Sequence, residues 1–372
     1  MTERERLVLI LNEDYGYVKR QKAEDLADKL LEHGLGFIYS SQGLEFVQNP
    51  DSTYSVKGIG KCKSSEIIIP SSYCGKLVTH IEKNAFLNCK TIKSVFIPKS
   101  IKNIGEWAFC YCSSLIDVTI SDGVSDIRRG AFEHCTSLEN IEIPDSVSHI
   151  DQLAFRDCSA LSCIQMGHGV SYVGENAFKD CKSLKKVYYK GDISRWCGIE
   201  FDSYDSNPCC NKADLFIQGE KVINFIVPSA VTPIKAYTFQ GCTSIKSVKI
   251  PSSLTAVSGF SGCVSLKSVE IPSSVTTVSG FLNCLSLESV KIPEGVEKIK
   301  GCSFMGCTSL SHLELPSTIK EIGMFSFHGC DSLKTIYYNG TIEEWKGVDT
   351  DRKYNDHDFT ICCTDGNVNV KL

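Results

Sequence analysis

The sequence predicts a parallel β solenoid, a stack of similar coils that each contribute one short strand to a common sheet. Three observations predict it. The motif F-x-x-C occurs ten times at a nearly constant interval. The apolar positions around it recur in nearly every copy, and each copy is followed by a short segment that alternates apolar and polar residues. A fixed period of about 20–50 residues is typical of repeats whose units stack on one another.

The repeated cysteines fall into two runs. The spacing is 23 residues throughout the first run and 21, 21, 23 and 23 residues in the second. The first run is Cys89, Cys112, Cys135, Cys158 and Cys181, and the second is Cys242, Cys263, Cys284, Cys307 and Cys330. The shorter units lack residues just before the phenylalanine, so we expect a shorter turn opposite the main sheet there.

An aromatic position three residues before each cysteine is phenylalanine in every copy. Similar side chains at identical positions predict columns of stacked side chains inside the coils. The column consists of Phe86, Phe109, Phe132, Phe155, Phe178, Phe239, Phe260, Phe281, Phe304 and Phe327.

The segment after each cysteine predicts the strand. Residues 140–144, NIEIP, alternate with period two, as expected of a strand with one buried face. One strand per coil in a constant orientation predicts a parallel sheet. Proline cannot donate to the ladder and marks the strand end in six copies. These are Pro98, Pro144, Pro251, Pro272, Pro293 and Pro316.

The residue before each repeated cysteine is Gly, Asn or Asp in eight of ten copies. These residue types tolerate positive φ, so a left-handed turn is predicted in every coil. The ten positions are Asn88, Tyr111, His134, Asp157, Asp180, Gly241, Gly262, Asn283, Gly306 and Gly329.

Taken together, the unit IPxSVxxIxxxAFxxCxSLxxVxI resembles the BspA-type leucine-rich repeat from about residue 67 to the C-terminus. Residues 188–201 and 337–350 resemble that family's terminal module. The resemblance implies a leucine-rich-repeat solenoid, mainly β with short helical or irregular turns, forming a curved right-handed coil with a parallel sheet on one face. It also implies a cysteine that bonds to backbone inside the turn, and a surface or secreted protein acting in adhesion or host contact.

Three regions are predicted. Residues 1–42 form a small α-helical N-terminal cap or a docking module, because TERE is a capping box and Ala23, Leu26, Ala27, Leu30 and Leu31 share one helical face. Residues 43–217 form a first leucine-rich repeat array with a terminal module. Residues 218–372 form a second array with its own terminal module.

The 20 cysteines do not indicate a disulfide framework. Side chains that all point the same way rarely meet the dihedral that a disulfide requires, so the repeated ten are expected to be reduced, buried and inert. No pair has C-x-x-C spacing, which argues against a zinc ribbon. Free thiols in this number suit a reducing compartment.

Composition bounds the function. The net charge is −5 with mixed signs, which argues against a nucleic-acid platform. No apolar run approaches the ~18 residues of a membrane span, and the N-terminal run LVLIL is too short for a signal-peptide core. The sequence thus indicates the cytoplasm, whereas the resemblance suggests the cell surface, so localisation stays open. No catalytic, cofactor or metal motif is present, and no enzyme is predicted.

The outward residues of the main strands are the predicted partner-binding face. They are Phe96, Thr119, Glu142, Gln165, Tyr188, Lys249, Glu270, Lys291, Glu314 and Tyr337. The charges alternate in the second set, so they also fit simple cross-strand pairing. Exposed aromatic residues are usual anchors in protein recognition. Trp196 and Trp345, at matching places in the two modules, are expected to be packing residues.

We therefore expect a non-catalytic repeat protein that binds a protein partner through its extended sheet. Two alternatives stay open. One is an intracellular structural or scaffolding protein that acts through its N-terminal helical module. The other is carbohydrate binding by the same face, which lacks the clustered exposed tryptophans typical of such sites. Partner identity and oligomeric state are not predicted.

Overall fold

The structure, a computed structural model, describes residues 42–350 and 358–371. The predicted N-terminal helices therefore lie outside the described residues, apart from residue 42. The chain divides after Leu184 into two compact units, and each is described by itself below. The predicted division between two arrays at residue 217 stays a prediction.

Unit 1 has two parallel ladders, one of main strands and one of shorter strands on the opposite side of each coil. The main strands are β3 (Glu66–Ile68), β6 (Ser94–Ile97), β8 (Asp117–Ile120), β10 (Asn140–Ile143) and β12 (Cys163–Met166). The short strands are β5 (Lys76–Ile81), β7 (Asn103–Ile104), β9 (Asp126–Ile127), β11 (His149–Ile150) and β13 (Tyr172–Val173). The parallel sheet predicted from the period is confirmed.

An antiparallel hairpin precedes these coils. Strands β1 (Glu45–Gln48) and β2 (Tyr54–Gly58) form it, and β2 pairs in parallel with β5. A short strand β4 (Ser72–Tyr73) folds back on β5. The hairpin therefore extends the short-strand ladder at its N-terminal end.

Unit 2 has three ladders of main strands. The first contains β14 (Lys186–Tyr189), β16 (Asp214–Ile217) and β17 (Glu220–Lys221). The second contains β18 (Asn224–Ile226), β19 (Ser247–Lys249) and β21 (Ser268–Glu270). The third contains β23 (Ser289–Lys291), β25 (His312–Leu315), β27 (Thr335–Tyr338), β29 (Asp358–Cys363) and β30 (Gly366–Lys371). Pairing is parallel except for the β16–β17 and β29–β30 hairpins.

The short strands of unit 2 are β15 (Glu200–Phe201), β20 (Ala256–Val257), β22 (Thr277–Val278), β24 (Lys298–Ile299), β26 (Glu321–Ile322) and β28 (Asp349–Thr350). Strands β20 to β28 form one parallel ladder. Two 3-10 helices, Tyr204–Ser206 and Pro208–Asn211, lie in the segment that interrupts the period. The predicted shorter turn is confirmed, because in the 21-residue coils the strand reaches Phe260 and Phe281 after only two residues.

The turn before each repeated cysteine is left-handed, as predicted. All ten residues have φ between 56° and 74°, including Tyr111, whose type does not favour that region. A second left-handed position, one or two residues before each phenylalanine, was not predicted. It is occupied by Asn84, Trp107, Gly130, Leu153, Asn176, Tyr237, Gly259, Gly280, Cys302 and Phe325.

The segment that holds these two left-handed positions forms a further hydrogen-bond ladder between coils. The N–H of Phe132 donates to the carbonyl of Ala154 at 2.8 Å, and those of Gly130 and His134 donate to Gln152 and Arg156 at 2.9 Å. Every second amide thus points to the next coil. The turn is therefore hydrogen-bonded across coils, as the strands are, and does not depend on water for its donors.

The phenylalanines form one stacked column in each unit. Neighbouring ring centroids are 4.9 to 5.4 Å apart in unit 1 and 5.1 to 5.9 Å apart in unit 2, with interplanar angles of 12° or less. All ten rings are at most 1% exposed. The predicted column of buried rings is confirmed.

Each terminal module contains one short helix. Helix α1 (Ile193–Gly198) is N-capped by Asp192, and α2 (Ile342–Lys346) is N-capped by Thr341 in a capping box. The helices bury Trp196 and Trp345, which are 0% and 3% exposed. Both tryptophans are packing residues, as expected.

Candidate functional site

The repeated cysteines form an ordered hydrogen-bonded column, which makes them structural. In eight coils the thiol donates to the carbonyl of the phenylalanine in the preceding coil, at 3.1 to 3.3 Å between Sγ and O. Desolvation raises the pKa of these thiols, to about 12 for Cys112 and for Cys330. All 20 cysteines are free. A protonated, buried thiol is a poor nucleophile, so the column carries no chemistry.

The predicted face residues occupy the centre positions of the main strands. In unit 2 the register places Lys249 opposite Glu270, and Lys291 opposite Glu314, with Tyr337 next. Lys249, Glu270, Lys291 and Tyr337 are exposed, and Glu314 is half-buried. Their side chains therefore form a row on the surface of unit 2.

Two ion pairs link this row. Lys249 Nζ lies 2.8 Å from a carboxylate oxygen of Glu270, and Lys291 Nζ lies 2.8 Å from one of Glu314. Hydrogen bonds from Lys291 and then from His312 lower the pKa of Glu314. This geometry agrees with cross-strand pairing, so the four charges alone do not indicate a partner site. Exposed pairs of this kind contribute only about 0–1 kcal/mol to stability.

The structure also presents three apolar residues on or next to the main strands of unit 2 that were not in the predicted set, namely Phe216, Ile223 and Ile226. Phe216 stacks on Tyr188 with 4.6 Å between ring centroids, and both are half-buried. Ile226 is 64% exposed and Ile223 is 37% exposed. Residues 215–228, LFIQGEKVINFIVP, are an unusually apolar stretch, which is the feature of the sequence that could have indicated these residues. They lie outside the repeat period and were not assigned to the face.

Basic side chains lie next to these isoleucines. Ile226 is opposite Lys249 in the β18–β19 register, and the N–H of Lys246 donates to the carbonyl of Ile223 at 2.8 Å. We call Ile223, Ile226, Lys246 and Lys249 the Ile226 patch. Within residues 42–350 and 358–371, Lys246 has no ion-pair partner. The patch therefore combines exposed apolar area with an uncompensated positive charge.

The main strands of unit 1 present a different surface. Thr119, Glu142 and Gln165 are half-buried, and their strands are in register. Phe96 is only 9% exposed and lies opposite Ile68 of the first main strand. Because its ring is covered, Phe96 is not the exposed aromatic anchor that the sequence pattern favoured.

Comparison with protein families matches the repeat directly. The model described as BspA type leucine rich repeat region matches six copies, over residues 79–204, 212–280 and 279–347. These ranges cover more than half of the 372 residues. The chain belongs to the BspA-type leucine-rich repeat family.

Solved structures of leucine-rich repeat proteins are similar to this BspA-type chain. A leucine rich cell surface protein from Faecalibacterium prausnitzii is 26% identical, with a TM-score of 0.49, over 84% of this chain and 97% of that one. A leucine-rich repeat protein from Bacteroides ovatus is 22% identical, with a TM-score of 0.39, over 87% and 98%. The pneumococcal vaccine antigen PcpA is 18% identical, with a TM-score of 0.45, over 87% and 83%. Comparison with curated proteins finds no match.

No group of three or more His, Cys, Asp or Glu side chains among the described residues is placed to hold a metal ion. Neither described helix has the length and apolar character that crossing a membrane requires.

Proposed function

We propose that this repeat protein acts without catalysis by binding a protein partner through the main-strand face of unit 2, with the Ile226 patch as its anchor. The observation that carries the proposal is the 64% exposure of Ile226 beside lysine side chains. Exposed apolar residues surrounded by polar ones mark protein interaction surfaces. We place this binding in adhesion or host contact on the basis of the family alone.

The chemistry of the patch favours a particular partner. An apolar side chain on the partner would remove Ile226 from water, and a carboxylate next to it would pair with Lys246. The stacked rings of Tyr188 and Phe216, on the first ladder of main strands in unit 2, offer a second apolar contact. Lys185 and Lys186, exposed and without an ion-pair partner among the described residues, add positive charge next to Tyr188.

The test compares capture of partners by purified variants from lysate and from culture medium of the native organism. Ile226→Glu places a carboxylate in the patch, and we expect it to weaken binding more than about tenfold, as for a hot-spot residue. Met324→Glu is the matched control, because Met324 is 45% exposed but lies in the left-handed turn region of unit 2. A partner that binds wild type and Met324→Glu but not Ile226→Glu supports the proposal.

A second pair of variants separates the sheet face from the N-terminal segment. We expect the double charge reversal Lys249→Glu and Lys291→Glu to abolish binding, and deletion of residues 1–42 to preserve it. Partners that bind every face variant as strongly as wild type but are lost on deletion of residues 1–42 would overturn the proposal and favour the scaffolding alternative.

A further inference from the structure

Unit 1 contains an open groove of about 560 Å³ on its short-strand side, away from the main strands. Its lining comes from the turn of the first hairpin, residues 49–51, from Ser55 on β2, and from residues on or next to β5, β7 and β9. This volume lies within the range of small-molecule sites, about 300–1,000 Å³. Most of the residues that line it are polar or charged, so their hydrogen-bond donors and acceptors decide which ligand it can hold.

A chain of hydrogen bonds fixes the proton on one lining residue, His80. The hydroxyl of Thr53 donates to Asp51 Oδ1 at 2.6 Å, and hydrogen bonds from Thr53 keep the pKa of Asp51 below its usual value. Since a hydroxyl has one proton, Thr53 must accept from Thr79 Oγ1, which lies 2.9 Å away. Thr79 must then accept from His80 Nδ1, also at 2.9 Å.

The consequence is a defined tautomer. With the proton on Nδ1, the neutral ring of His80 carries a lone pair on Nε2, which is an acceptor. Ser55, opposite His80 in the register, donates to Asn49 and so does not occupy this lone pair.

The next coil supplies a second acceptor at the same register position. Asn103 lies opposite His80 in the β5–β7 pair and also lines the groove. Its Oδ1 is buried and has no hydrogen-bond partner among the described residues. A buried acceptor without a partner is uncommon in native structures and indicates a missing donor.

The charges that line the groove leave a negative excess. Lys83 pairs with Glu106 at 2.9 Å, and Arg128 lies 3.8 Å from carboxylate oxygens of Asp126 and Asp151. Two further lining carboxylates are left without a cation among the described residues, and they belong to Asp51 and Glu82.

From the two adjacent acceptors and the excess negative charge we infer that this groove binds a small ligand through a primary ammonium group. Its N–H groups donate to His80 Nε2 and Asn103 Oδ1, and its charge is balanced by Asp51 and Glu82. The inference is independent of the function proposed for unit 2, because it concerns other residues and another class of ligand.

The first test is the tautomer, measured by ¹⁵N NMR of the full chain with labelled histidine near neutral pH. The His80 signals are assigned by their absence in His80→Gln. We expect Nδ1 protonated and Nε2 unprotonated, and we expect Thr79→Val, which keeps the shape but removes the hydroxyl, to abolish this preference. A His80 ring with its proton on Nε2 would overturn the inference.

The second test is titration with ethylammonium chloride, with tetramethylammonium chloride as a cation that has no N–H donor. We expect ethylammonium to shift the His80 Nε2 signal and tetramethylammonium to bind at least about tenfold more weakly. Asn103→Ala should weaken ethylammonium binding about tenfold, since it removes one acceptor. His149→Gln is the matched control, because His149 is on the same short-strand ladder but does not line the groove. Its Nδ1 contacts the hydroxyl of Ser148, as His80 Nδ1 contacts that of Thr79.

Each outcome is decisive provided that the variants keep the urea midpoint of the wild type. Ethylammonium binding that depends on Asn103 but not on His149 supports the site. Equal effects of the two cations would show a general electrostatic attraction and overturn it. Absence of any shift at His80 would mean that Asn103 Oδ1 accepts from bound water only, and would also overturn it.

Discussion

The thiol of Cys158 donates to the carbonyl oxygen of Phe132 in the preceding coil, with 3.2 Å between Sγ and O. The same oxygen accepts from the N–H of Cys135 at 3.2 Å. One carbonyl therefore ties the turn of its own coil to the side chain of the next. Repeated along each unit, this contact makes the cysteine column a connection between coils rather than a reactive surface.

The first prediction concerns the strength of this connection. Cys158→Ala removes a buried sulfur and its hydrogen bond, and we expect it to lower the free energy of unfolding by about 1–3 kcal/mol. Urea unfolding followed by circular dichroism measures the change. Cys74→Ala is the control, because Cys74 is exposed, and it should change stability by less than about 0.5 kcal/mol. Equal effects of the two variants would contradict a structural role for the column.

The second prediction concerns alkaline pH. Burial raises the pKa of Cys112 and of Cys330 from 9.0 to about 12. A pKa that is higher in the folded state means that the folded state binds the proton more tightly. The stability from these thiols is therefore complete below about pH 9 and is lost as the pH rises toward 12.

Urea midpoints measured between pH 8 and pH 11 test this prediction. Each thiol should contribute a slope of about 1.4 kcal/mol per pH unit above pH 9. The double variant Cys112→Ser and Cys330→Ser removes both titrating groups, so its stability should fall less steeply than that of wild type. Parallel curves for the two proteins would contradict the assignment, since lysines titrate alike in both.

The third prediction concerns backbone strain at Leu153. Its φ is 63°, a left-handed value that is unfavourable for a residue with a bulky side chain. Leu153→Gly removes the clash, and we expect it to raise the melting temperature or to leave it unchanged. Ala154→Gly is the control at the next position, where φ is not positive, and it should destabilise the protein. A large loss of stability for Leu153→Gly would show that packing of its side chain outweighs the strain.

The fourth prediction concerns the first terminal module. Trp196 is fully buried, packs edge-on against Tyr189 with ring centroids 5.3 Å apart, and donates from Nε1 to the carbonyl of Thr238 at 2.9 Å. Trp196→Ala should cost about 3–5 kcal/mol of unfolding free energy in urea. Trp196→Phe keeps most of the packing but loses the hydrogen bond, so its cost should be smaller.

The neighbouring Arg195 provides the control for this module. It is exposed on the same helix, and Arg195→Ala should change stability by less than about 0.5 kcal/mol. A small cost for Trp196→Ala would mean that the module does not close the coil against solvent.

The repeated core was predictable from the amino-acid pattern because every coil has similar residues at the same positions. Phe132 and Cys135 are one copy of a motif that occurs in ten coils, so the burial of these side chains in one coil predicts their burial in the others. The strand, the buried ring and the left-handed turn before the cysteine follow from local preferences that repetition makes unambiguous. Leu153 and Trp107, at the second left-handed position, carry no such preference, and they adopt positive φ in register with the glycines and asparagines at the same position of other coils.

The candidate sites were less predictable than the core, because the exposure of a side chain depends on what lies in the neighbouring coil. Phe96 and Ile226 both occupy centre positions on main strands, yet one is 9% and the other 64% exposed. Their positions within the strand do not distinguish them. The pattern of residues therefore predicted which positions point outward, but folding decided which of them meet water.

The groove in unit 1 depends still more on folding. Asp51 in a hairpin turn, His80 on one coil and Asn103 on the next are separated by more than 20 residues at each step, and none belongs to a motif. They meet because parallel stacking sets equivalent positions side by side and the hairpin extends the same ladder. Amino-acid order alone predicts the coil and its buried columns, while the stacking of one coil on another creates the surfaces that can bind a ligand.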